Sequence, residues 1–105
     1  DPADLLPPIT AYYVMRIGKL PLVPFYAPGD TKLAQAVEET AQDHHAMLLA
    51  NHGPVVAGTD LSAALDATEE LEETARLFML LQGRRNRYLT KEQVAALRAA
   101  FPIKA

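Results

Sequence analysis

Ala46-Met47-Leu48-Leu49-Ala50 is apolar at every position, stops at Asn51-His52-Gly53-Pro54, and is followed by a second apolar run, Val55-Val56-Ala57. A strand that alternates apolar and polar residues needs cover on one face only; a strand apolar throughout needs it on both. The pattern predicts a buried strand over 45–50, a turn over 51–54 and a return strand over 55–58. Any fold for this chain must therefore sandwich a sheet between other layers.

The remaining elements supply only part of that cover. A third candidate strand, Leu20-Pro21-Leu22-Val23-Pro24-Phe25, belongs at an edge or a bulge, because Pro21 and Pro24 have no backbone donor. Three strands are few beside the ~5–6 of a typical sheet. Ile9 to Gly18 reads as a short helix with Pro8 in its first turn and Gly18 at its end, although its β-branched and aromatic residues also suit a strand. Asp30 caps a helix that reaches about Asp43, with Leu33, Val37 and Ala41 on one face.

The longest helix is expected over 61–82, capped by Gly58-Thr59-Asp60, with Leu61, Ala64, Leu65, Leu71, Ala75, Phe78 and Met79 as its apolar stripe. Leu77, Leu80 and Leu81 lie off that stripe and call for further neighbours. Thr90-Lys91-Glu92-Gln93 is a capping box, and Leu89 and Val94 form its hydrophobic staple. Val94, Leu97 and Phe101 give the last helix its buried stripe, and Pro102 stops it. Residues 1–8, with Pro2, Pro7 and Pro8, read as a connection. The demand for missing neighbours points to a piece of a larger α/β domain; a first residue that is aspartate and not methionine hints at processing or at a segment of a longer chain.

Composition narrows the chemistry. A formal net charge of -3 gives no footprint for nucleic acid or for an anionic membrane surface. The apolar runs are far shorter than the ~20 residues of a membrane span, and no basic-then-apolar leader opens the chain, so a cytoplasmic location is expected. Without cysteine there is no disulfide, thiolate nucleophile or zinc finger. Ser62, the only serine, falls in the first turn of a helix, which argues against serine nucleophilic catalysis.

Four groups remain. His44 and His45 are adjacent in extended chain and point to opposite faces, so they are poorly placed to share a metal. Arg84, Arg85 and Arg87 sit where a helix C-terminus favours cations. Tyr12 and Tyr13 suit core or interface packing. His52 differs, since a rigid strand leads into it, Gly53 removes bulk beside it, and Pro54 stiffens the exit. Rigidity with access is what a metal ligand or a catalytic acid or base requires, although a histidine that merely fits its turn shows the same pattern.

The stretch Leu48 to Leu81, "LLANHGPVVAGTDLSAALDATEELEETARLFMLL", resembles the signature region of the class II aldolase/adducin family: an apolar strand, His-Gly, a short apolar strand, glycine, then a long helix rich in Glu and Ala. Upstream, "LPPITAYYVMRIGKLPLVPFYAPGD" is similar to one branch, the 3-oxo-tetronate 4-phosphate decarboxylases. The resemblance implies a class II aldolase-like three-layer α/β fold, with a mainly antiparallel sheet flanked by helices. It also implies that residues 1–105 are the C-terminal half of one such domain.

For His52 the resemblance implies a role as one of three histidine ligands to a divalent ion, usually Zn2+; the other two form a His-x-His pair in the N-terminal half. It places a proton-transferring tyrosine, reaching into a neighbouring subunit's site, at Tyr12 or Tyr13. It implies a homotetramer, a small sugar-acid phosphate as substrate, and decarboxylation to dihydroxyacetone phosphate and CO2 through an enediolate. With one ligand only, this chain alone is expected to be inactive. A sugar-phosphate aldolase or epimerase would use the same enediolate chemistry, and an adducin-like assembly module would use none.

Overall fold

The computed structural model describes residues 1–103. In chain order the elements are α1 (Ala11–Arg16), β1 (Leu22–Val23), α2 (Thr31–Ala41), β2 (Ala46–Leu49), β3 (Gly53–Val56), α3 (Leu61–Leu80) and α4 (Lys91–Ala100). The three strands form one sheet in the order β1-β2-β3. β2 and β3 pair antiparallel from Ala46↔Val56 to Leu49↔Gly53. β1 runs parallel to β2 through Leu22↔Leu48 and Val23↔Leu49. Most of the register is thus antiparallel, as expected.

The prolines explain the edges. β1 lies at one edge, as Pro21 and Pro24 require. Proline loses its donor but keeps its acceptor, and Pro21 O accepts from Leu48 N at 2.9 Å, one step before Val23 O accepts from Ala50 N at 3.0 Å. β3 occupies the other edge, where Pro54 opposite Leu48 is tolerated. The return strand starts earlier than expected, at Gly53, and ends at Val56. The hairpin loop is accordingly Ala50-Asn51-His52, with Asn51 in the left-handed region at φ 61°. Asparagine tolerates that conformation better than most residues, and short hairpin loops often place one residue there.

Side chains of successive strand residues face opposite ways. Ala46 (0% exposed) joins the main core with Leu6, Tyr13, Val14, Ile17, Leu20, Ala67 and Leu71. Met47, also buried, faces the other side, where it lines a cleft with Val37 and Ala41 of α2. The start of β2 is therefore covered on both faces, as its composition demands. Residues 1–8 do more than connect: Leu5 N donates to Leu20 O at 2.8 Å, Leu22 N to Pro2 O at 2.8 Å and Leu20 N to the Asp4 carboxylate at 3.1 Å.

The helices start where their caps predict. Asp30 accepts from Lys32 N at 2.9 Å, and Asp60 from Ala63 N at 2.7 Å. α1 begins after Thr10, whose hydroxyl accepts from Tyr13 N, so Pro8 lies ahead of the cap and not in the first turn. α3 ends at Leu80, slightly short of the expected boundary.

Its buried stripe needs correction. Of the expected stripe, Leu71 is buried and Ala75 and Phe78 pack against the core, but Leu61, Leu65 and Met79 are 87%, 57% and 70% exposed, and Ala67 and Thr74 are buried in addition. At about 100° per residue, Leu61, Leu65 and Met79 lie roughly 125° around the helix from Ala67, Leu71 and Thr74. α3 turns its smaller residues inward because α1 packs against it, and Ala67 and Thr74 permit a close approach. Val94 and Leu97 of α4 are half-buried against the core, while Phe101 is 50% exposed and not part of a buried stripe.

The capping box of α4 is complete. Gln93 N donates to Thr90 Oγ1 at 3.1 Å, and Thr90 N donates to Gln93 Oε1 at 2.9 Å. Thr90→Ala removes the side-chain half of this exchange and is expected to cost roughly 1 kcal/mol, a typical N-cap loss. Chemical denaturation of the complete protein measures it as a lower midpoint at unchanged slope; an unchanged midpoint would contradict the role of the cap. Among the described residues, no helix is long and apolar enough to cross a membrane.

Candidate functional site

The hairpin loop delivers His52 to the end of the sheet. Leu49↔Gly53 is the last antiparallel pair, and His52 N donates back to Leu49 O at 3.0 Å, which closes the loop. Gly53 follows at φ 150°, a backbone angle that residues with a Cβ rarely adopt. The His52 side chain is exposed.

Two contacts hold its ring. The first is between His52 Nδ1 and the Ala50 carbonyl, 3.0 Å apart. A carbonyl oxygen only accepts, so Nδ1 carries the proton and donates. The lone pair is then on Nε2, on the opposite side of the ring. The second contact is a stack with Phe25, with ring centroids 5.7 Å apart and planes inclined by 21°. The parallel register explains why Phe25 is there. β1 and β2 run in the same direction and end at the pair Val23↔Leu49, so the segments that carry Phe25 and His52 leave the sheet at the same end.

This arrangement suits a metal ligand. Ligating histidines commonly donate their second ring N–H to a carbonyl or carboxylate, which fixes tautomer and orientation. His52 does so, and its Nε2 is left as a donor atom for a cation. Among the described residues, no group of three or more His, Asp or Glu side chains is placed to hold a metal. His52 thus fits as a single ligand, and a catalytic zinc site usually takes about three from protein.

The two tyrosines part company. Adjacent residues on a helix point about 100° apart, and α1 buries only one of this pair. Tyr13 is 1% exposed within the core, and its hydroxyl has no hydrogen-bond partner. Burial, with the negative charge of Asp4 as a smaller contribution, raises its pKa and keeps the phenol protonated. Tyr12 is 59% exposed, with the Arg16 guanidinium 5.5 Å from its ring centroid. Of the two rings, only that of Tyr12 lies at the surface of the chain.

His44 and His45 have separate local partners. His44 Nδ1 lies 3.3 Å from Thr40 O, and His45 Nε2 lies 3.1 Å from Ile17 O, tying the start of β2 to the end of α1. Both line a cleft of about 840 Å³ with Lys19, Asp43, Met47 and Arg98; His52 is not part of its wall. Arg84, Arg85 and Arg87 are exposed in the α3–α4 connection. Sequence reasoning missed Phe25 and the Ala50 carbonyl. The only local signal for Phe25 was its place at the end of a predicted strand.

A family profile described as the class II aldolase and adducin N-terminal domain matches residues 2–79. The 3-oxo-tetronate 4-phosphate decarboxylase of Haemophilus influenzae is 53% identical over 97 residues, which is 92% of this chain and 46% of that protein. The L-fuculose phosphate aldolase of Methanocaldococcus jannaschii is 41% identical over 78 residues, 73% of this chain and 40% of that protein. Among solved structures, YgbL of Klebsiella pneumoniae superimposes with a TM-score of 0.90 at 53% identity, covering 93% of this chain and 47% of its own. The chain spans about half the length of the curated relatives it matches.

Proposed function

We propose, from the premise that this chain belongs to the class II aldolase and adducin family, that the complete protein decarboxylates a 3-oxo-tetronate 4-phosphate to dihydroxyacetone phosphate and CO2. The observation that carries this reading is the identity to a decarboxylase across nearly the whole chain, well above that to the aldolase. Residues 1–105 are then the C-terminal half of one domain, and the other half supplies a His-x-His pair.

The chemistry asks three things of the site. The bond between the carboxylate and its neighbouring carbon breaks, and its electron pair is shared between that carbon and the ketone oxygen as an enediolate. A divalent ion, zinc in this reading, supplies Lewis-acid stabilisation of that negative charge. His52 serves as one of its ligands through Nε2, held ready by the Ala50 carbonyl and the Phe25 ring. A proton must then reach the carbon that lost CO2, and of the adjacent pair Tyr12 and Tyr13 only Tyr12 is accessible to deliver one, acting in the site of a neighbouring subunit. That role requires an oligomer, and a homotetramer satisfies it. The same reading puts the enzyme in the cytoplasm with its phosphorylated substrate.

The test supplies a 3-oxo-tetronate 4-phosphate to the complete protein and follows both products. CO2 and dihydroxyacetone phosphate should form in equal amounts. Aldehyde release from a sugar phosphate, with no CO2 from the 3-oxo acid, would replace the decarboxylase by an aldolase. Activity toward neither substrate, with no bound metal, would support an adducin-like assembly module.

A further inference from the structure

We infer that Phe25 is a positioning residue that holds the His52 imidazole in the plane its metal-ligating role requires; the inference rests on that role. A single hydrogen bond from Nδ1 to the Ala50 carbonyl fixes one point of the ring and the tautomer. It leaves the ring free to swing about that point. A second contact removes the swing, and the Phe25 ring stacks beside the imidazole in an offset arrangement, its plane 21° from parallel. An edge or stacked aromatic pair at a centroid separation of ~4.5–7 Å is attractive, and the observed 5.7 Å falls within that range.

The placement of Phe25 is determined by backbone and not by burial of its own side chain. It is 58% exposed, so packing in a core does not account for its position. Pro24 restricts the backbone just before it, and the bond from Ala50 N to Val23 O ties this end of β1 to the base of the His52 loop. Phe25 and His52 therefore share one rigid corner, although they are far apart in sequence. The stack is offset, and the ring's hydrogen bond among the described residues is made by Nδ1, which leaves Nε2 without a partner there.

The experiment measures zinc affinity of the complete protein by competition with a chromophoric chelator. Four forms are compared: wild type, Phe25→Leu, Phe25→Tyr and His52→Ala. Phe25→Leu keeps apolar bulk but removes the flat face, and should weaken zinc binding roughly tenfold, at the lower end of what outer-shell changes cost. Phe25→Tyr keeps the face and should bind within about twofold of wild type. The melting temperature of metal-free Phe25→Leu should match that of the metal-free parent. Wild-type zinc affinity in Phe25→Leu, beside lost affinity in His52→Ala, overturns the inference. So does an equal weakening in Phe25→Leu and Phe25→Tyr. Full zinc affinity in His52→Ala overturns the ligand role beneath it instead.

Discussion

Tyr12 and Tyr13, adjacent in sequence, should respond to substitution in opposite ways. Tyr13→Ala removes a ring that is 1% exposed and lies in the main core. Large-to-small changes of buried aromatics cost about 3–5 kcal/mol, a large share of the ~5–15 kcal/mol that holds a typical domain together. The variant should melt much earlier or fail to accumulate. Tyr13→Phe should be harmless or mildly stabilising, because the buried hydroxyl it removes has no partner to lose.

Tyr12→Phe is expected to leave the melting temperature unchanged and to lower kcat by about 10²–10⁴, the usual range for loss of a proton-transfer group. The Tyr12 ring is 59% exposed and lies outside the core cluster, so the hydroxyl contributes little to the fold. Thermal denaturation and steady-state turnover of the complete protein measure both arms. Turnover lost in Tyr13→Phe and kept in Tyr12→Phe would reverse the assignment.

His52→Ala should abolish turnover while sparing the fold. The hairpin is held by backbone bonds, from the β2–β3 ladder to His52 N on Leu49 O, and none of these needs the imidazole. The side chain is exposed, and exposed substitutions away from special features usually change stability by no more than about 0.5 kcal/mol. Loss of a donor from a site with about three protein ligands should leave the ion weakly held. A folded protein with near-background turnover is the expected phenotype. A variant that unfolds would instead make His52 a structural part of the turn.

The features legible from sequence were those with local causes. Thr90 and Gln93 satisfy each other's backbone within one turn, so the four residues announce the helix. Asp30 and Asp60 do the same for α2 and α3. The uninterrupted apolar run was enough to place β2. Where long-range packing decides, pattern alone misled. The expected stripe of α3 is right at Leu71, Ala75 and Phe78, but it takes in Leu61, Leu65 and Met79, which are exposed, and leaves out Ala67 and Thr74, which the contact with α1 buries. The choice between Tyr12 and Tyr13 depends on how α1 is rotated against the core. The start of β3 depends on one left-handed residue, Asn51. Phe25 reaches His52 through a parallel register between segments separated by α2, which no local pattern records.

The central claim is that His52 is the metal ligand contributed by this half of the site, and that the chain's two other histidines are not ligands. His44 and His45 lean on the Thr40 and Ile17 carbonyls away from the hairpin loop. The direct measurement is zinc per subunit by elemental analysis after exhaustive dialysis, in complete proteins carrying His44→Ala, His45→Ala or His52→Ala. The account predicts about one zinc per subunit in the first two, as in the parent, and little in the third, where only about two of the usual three protein ligands remain. Full zinc content in His52→Ala, or its loss in His44→Ala with His52 intact, would contradict it.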